Sequence, residues 1–146
     1  MSTIARKEGR SDYPIPMHTN AVTIKTDIVV IGAGQAGLSS AYHLKKRGLV
    51  PVRGFIVVDR SPRPGGAWQF RWPALTLSTV NRIHDLPGMR MSEAVDTSSG
   101  EIQASVAIPQ YFAAYEQAFD LRVSRPVDVK VVCDRWDRLT IETDRG

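Results

Sequence analysis

The stretch Ile28–Ser40, IVVIGAGQAGLSS, limits what this chain can fold into more than any other. It opens with TDIVVIG, a short continuous apolar run rich in β-branched residues, which suits a parallel strand buried on both faces. Glycines at 32, 34 and 37 follow at once. Gly32 permits a tight turn out of the strand, Gly34 holds no side chain between the backbone and a diphosphate, and Gly37 lets a helix pack closely on the sheet. The helix is expected to begin near Gln35, with its free N–H groups and positive dipole end toward the phosphates. Gly37, Ser40, Ala41, Leu44 and Gly48 recur at spacings of three or four and predict one packed face. Lys45, Lys46 and Arg47 fall in the last turn, where cations suit the dipole, and Gly48 is a C-terminal stop.

GFIVVDR reads as a second buried strand ending in Asp59, so residues 25–59 form one βαβ unit. Asp59 stands 22 residues beyond Gly37, where a carboxylate can accept hydrogen bonds from both ribose hydroxyls of an adenosine. It would repel a 2′-phosphate there. The segment from Ser61 to Ser105 is irregular, with four prolines and four glycines, yet Trp68, Phe70 and Trp72 argue against simple disorder. Within it, DTSSGEIQ reads as the mobile part. IPQYFAAYEQAFD predicts a helix with Pro109 at its first position and a core-facing stripe of Tyr111, Phe112, Tyr115 and Phe119. LRV reads as a third parallel strand. PVDVKVVCDRW and DRLTIETD read as an antiparallel pair turning near Trp136 and Asp137.

The net charge of +4 tolerates an anionic ligand, but the basic residues are scattered and their longest run is Lys45-Lys46-Arg47, so nucleic-acid binding is not expected. Cys133 is the single cysteine, which rules out an intramolecular disulfide, a CxxC pair and a cysteine zinc site, and no metal site is read. The N-terminal twenty residues lack the apolar core of a signal peptide, and no apolar run approaches the ~18 residues of a membrane span. A cytoplasmic protein is expected, with residues 1–24 as a flexible leader and 25–146 as the domain.

IVVIGAGQAG, VVDR and PGGAW together resemble the N-terminal part of FAD-dependent oxidoreductases of the flavin-containing monooxygenase and Baeyer–Villiger type. LTLSTVNRIHDLPGM is similar to the segment of that family leading to a proline-rich turn by the flavin, and AIPQYFAAYEQAFDLRV resembles its next helix and strand. The resemblance covers about residues 25–146. It implies an α/β, Rossmann-like three-layer FAD-binding domain with an antiparallel β-meander. Gly32, Gly34, Gln35, Ala36 and Gly37 would sit on the FAD diphosphate. Asp59 would hold the adenosine ribose, with Arg60 flanking the adenine. Gly66 and Trp68 would line the path toward the flavin, with Arg71 and Asn81 as further candidates. Val127 would contact adenine through its backbone. His84 has no evident acid–base partner and reads as structural.

The family pattern would continue beyond IETDRG with another meander strand, a turn closing over FAD and a second glycine fingerprint for NADPH. Gly32–Gly37 is the single GxGxxG in the sequence. The chain therefore reads as a domain incomplete at its C-terminus, whose flavin NADPH would reduce in the complete enzyme, and whose open sheet a complementary chain could complete. Two alternatives stand beside this reading: a non-oxygenating two-dinucleotide flavoprotein reductase, and a non-catalytic dinucleotide-binding module that needs a partner. No residue is assigned as a catalytic acid or base, and the substrate is not legible.

Overall fold

The computed structural model describes residues 23–80, 83–98, 101–135 and 137–145. Strand β1 (Ile28–Ile31) leads into helix α1 (Gln35–Lys46) and strand β2 (Phe55–Val58). β1 and β2 pair in parallel, Ile28 with Phe55 through Ile31 with Val58. The expected βαβ unit is therefore present. Gly32 turns the chain at φ +93° and donates its N–H to the Val58 carbonyl at 2.8 Å. Gly48 ends α1 at φ +91°, as its position after the basic turn predicts.

The burial of this unit differs from the expectation. β2 is the buried strand, with Phe55, Val57 and Val58 in the core. β1 is half open: Ile28 and Ile31 are 37% and 53% exposed, because β1 pairs with β2 alone among the described residues. The buried face of α1 is carried by Leu38 and Ala41, while Ser40 and Gly48 are exposed. Ser39 and Ser40 instead turn their hydroxyls back to donate to the Gln35 and Ala36 carbonyls.

LRV does not form a third strand. Parallel pairing contracts to a single bridge between Val58 and Ser124. Ser124 donates to the Val57 carbonyl at 2.9 Å and accepts from Asp59 N–H at 3.0 Å, and Val127 N–H then donates to the Asp59 carbonyl at 2.9 Å. Asp120 and Arg122 on either side of Leu121 have positive φ, 44° and 52°, so the chain kinks where an extended run was expected.

Helix α2 spans Ala104–Ala118, and Pro109 is its sixth residue, not its first. A tertiary bridge moves the start forward: Ala104 N–H donates to the Leu75 carbonyl at 2.8 Å, and Ile102 accepts from Leu77 N–H at 3.0 Å. Pro109 gives up one helical hydrogen bond and serves as a packing surface. Gly65 (φ +118°) lies so close that a Cβ there would sit 2.6 Å from the Pro109 ring. The aromatic stripe of α2 is core, as expected. Tyr111 and Tyr115 are fully buried, Phe112 nearly so, and Phe119 packs on Tyr115 and Tyr42 with ring centroids 4.7 and 4.8 Å away.

The long segment between β2 and α2 is irregular apart from two short 3₁₀ turns, Gly66–Phe70 and Met91–Glu93. Hydrogen bonds hold part of it on α2. Tyr111 Oη accepts from Leu86 N–H at 2.7 Å and donates to the Met89 carbonyl at 2.6 Å, and Tyr115 Oη donates to the Pro87 carbonyl at 2.7 Å. Burial pushes both phenols above the ordinary tyrosine range, so they stay neutral donors. Strands β3 (Val129–Arg135) and β4 (Arg138–Thr143) form the expected antiparallel ribbon.

Two consequences for stability follow. Tyr111→Phe leaves the buried Leu86 N–H without its acceptor and is expected to cost about 1–3 kcal/mol in urea unfolding. Val52 is exposed and β-branched at φ +74°. Val52→Gly is expected to raise stability by about 0.5–1 kcal/mol, and a lower melting temperature would contradict the strain.

Candidate cofactor-binding site

The turn after β1, the end of β2 and Gly66 converge on one cavity of about 660 Å³. Of the residues singled out from sequence, Gly32, Gly34, Asp59, Arg60, Gly66, Arg71 and Val127 line it. The two glycine motifs touch: a Cβ on Gly66 would stand 3.3 Å from the Gly34 Cα. Around Gly34 itself a Cβ would meet nothing within 4 Å, so the cradle is open there. Gly37 has the opposite surroundings, since a Cβ there would collide with the Gly32 carbonyl oxygen. One glycine thus keeps space free and the other brings the helix against the turn.

Gln35, Ala36 and Gly37 do not line the cavity; they are the first turn of α1 beside it. That turn has Gly34 as its N-cap, no side-chain cap and no acidic residue. No side chain of α1 itself therefore compensates its positive end, the condition in which a helix terminus receives an anion.

Asp59 is 6% exposed. Its Oδ2 accepts from Ala33 N–H at 2.6 Å and its Oδ1 from Ser61 N–H at 2.7 Å. The carboxylate therefore ties the glycine turn to the end of β2, and each oxygen keeps further acceptor capacity. Arg60 and Arg71 are exposed at the cavity wall. Asp128 also lines it, and the hydrogen bond from Lys130, with Arg60 a lesser influence, holds its carboxyl below the ordinary range.

Trp68 packs partly buried against the core, and the Arg71 guanidinium lies 5.6 Å from its ring centre. Trp68 does not itself line the cavity. Asn81 lies outside the described residues. His84 is exposed. Sequence reading missed Ser61 and Phe70. The Asp-x-Ser spacing held a signal for Ser61, because aspartate commonly accepts from the N–H two residues on. Nothing local marks Phe70, which is 74% exposed and lines the cavity through the 3₁₀ turn it ends.

No cluster of histidine, cysteine and carboxylates suited to a metal ion occurs among the described residues, and no described helix is long and apolar enough to cross a membrane.

An oxidoreductase named CzcO from Bacillus velezensis is 31% identical over 119 residues, covering 82% of this chain and 32% of that protein. A flavin-containing monooxygenase from Stenotrophomonas maltophilia superposes with a TM-score of 0.71 at 35% identity, covering 84% of this chain and 35% of that one. An oxidised steroid monooxygenase bound to NADP shares the fold, with a TM-score of 0.65 at 22% identity over 84% of this chain and 24% of its own. The chain thus spans about a third of the length of the curated relatives it matches. The family profile described as FAD dependent oxidoreductase matches residues 27–127, from the strand before the glycine turn to the cavity wall at Val127, and this chain belongs to that family.

Proposed function

We propose that the cavity binds the adenosine diphosphate half of FAD, and that the chain supplies the FAD-binding part of a flavin-dependent monooxygenase. The observation that carries the reading is the open space at Gly34, at the uncapped N-terminus of α1 and in the same cavity as Asp59. The diphosphate would lie over Gly32–Gly34, with the N–H groups of the first turn of α1, Gln35 to Gly37, directed at it. Asp59 would accept from the ribose hydroxyls while still bracing the turn. Arg60 would flank the adenine. Val127 has given its N–H to the Asp59 carbonyl, so its backbone contact to adenine falls to its own carbonyl. Gly66, Trp68 and Arg71 would border the path to the isoalloxazine, and Asn81 is a further candidate for cofactor binding.

Bound there, the flavin would supply the redox chemistry, with NADPH as electron source and oxygen as oxidant, one oxygen atom going to a small substrate and the other to water. This chain's residues bind and orient it. The oxygenating reading is favoured over a reductase by the 35% identity to a flavin-containing monooxygenase, against 14% for a disulfide reductase of similar fold.

Titrating the purified chain with FAD and following the flavin absorbance should give saturable binding; a linear response at all concentrations would refute the site. Gly34→Val should abolish binding by filling the cradle, and unchanged affinity would remove the diphosphate from that turn. Asp59→Asn should weaken binding by about 1–3 kcal/mol, the scale of a charge-assisted hydrogen bond.

A further inference from the structure

Behind Asp59, away from the cavity, lies a buried charge cluster. Arg125 donates through both terminal nitrogens to the Glu116 carboxylate, each at 2.6 Å. Its Nε stands 4.0 Å from Asp59 Oδ1. The three side chains are 10%, 13% and 7% exposed. Arg125 Nε is buried and has no hydrogen-bond partner among the described residues.

A fork-to-fork pair with Glu116 would by itself account for an arginine that only fastens α2 to the chain beyond it. It leaves the Nε unexplained, because burying a donor without an acceptor costs free energy. The Asp59 carboxylate stands 4.0 Å from that donor. The backbone also fixes the two residues relative to each other. Ser124, just before Arg125, accepts from Asp59 N–H, and Val127, just after it, donates to the Asp59 carbonyl. Arg125 is therefore clamped from the side by Glu116 and along the chain by β2, with its free donor toward the carboxylate.

We propose that Arg125, held by Glu116, is a positioning residue for Asp59 and sets its readiness to accept ribose hydroxyls. The inference rests on the cofactor reading above. One guanidinium and two carboxylates give the cluster a formal charge of −1, which suits hydroxyl donors and opposes a 2′-phosphate. When hydroxyls draw on the cavity side of Asp59, the Arg125 charge behind it limits rotation of the carboxylate away from them. Arg125 does not line the cavity and acts through Asp59.

The experiment compares ADP with dideoxy-ADP, which lacks both hydroxyls on the ribose, by calorimetric titration of the full chain. The unaltered chain should bind ADP more tightly. Arg125→Met and Glu116→Gln should each weaken ADP roughly tenfold while leaving dideoxy-ADP unchanged. The Arg125→Met loss should vanish in an Asp59→Asn background, because the two then act on one interaction. Circular dichroism checks that each variant folds; Arg125→Lys, which keeps the charge and loses the fork, replaces the Met variant if that one does not. Equal losses for ADP and dideoxy-ADP, or losses that add to that of Asp59→Asn, would mean a purely structural role and overturn the proposal. If the unaltered chain binds neither FAD nor ADP, the cofactor reading itself falls. If it binds both but does not distinguish dideoxy-ADP, FAD binding survives and the role given to Arg125 does not.

Discussion

Asp59 accepts backbone N–H groups from the glycine turn at Ala33 and from the exit of β2 at Ser61, and so reinforces the Gly32–Val58 hydrogen bond between the same two segments. Glycines at 32, 34 and 37 provide room and close approach, but they also make the turn conformationally permissive. A carboxylate anchored at the end of a buried strand removes that freedom without placing a side chain in the cradle. The rest of the site is arranged around this strut. Val127 bonds the carbonyl of the same residue, Arg125 stands behind its carboxylate, and Gly66 abuts the turn it braces.

The strut in turn depends on α2. Its buried tyrosines hold the backbone of residues 86–89, its Pro109 seats Gly65, and its Glu116 holds Arg125. Lys45 at the end of α1 donates to the Phe119 carbonyl just past α2, so the two helices are tied at their C-terminal ends as well. Two of these links use buried phenols that burial keeps neutral. The long irregular segment keeps its shape by bonding to a helix rather than through secondary structure of its own. This is how a stretch with so little regular structure can carry cavity residues such as Gly66 and Phe70.

Much of the βαβ unit was legible because its signals are local. β-branched runs, glycine spacing and a basic last turn each act within one element, and α1 runs from Gln35 to Lys46 as they predict. The structure departs from expectation where a distant segment or an unmarked backbone kink decides. Pro109 looks like a helix start until Leu75 and Leu77 bond the residues before it. LRV looks like a strand until the positive-φ residues on either side of Leu121 limit it to one bridge. β1 has the composition of a strand buried on both faces, yet its exposure depends on what pairs with its second edge.

The sequence by itself determined the cradle. Which residues must be glycine, where a carboxylate must stand and which strand and helix flank them follow from backbone sterics and hydrogen-bonding capacity within about thirty residues. Tertiary structure alone decided what surrounds it: that Gly66 meets Gly34, that Phe70 and Asp128 join the wall, and that Arg125 lies within 4.0 Å of Asp59. Those contacts join segments far apart in the chain, and they depend on how α2 packs against the Gly66–Phe70 turn and Tyr42 of α1, which no local pattern encodes.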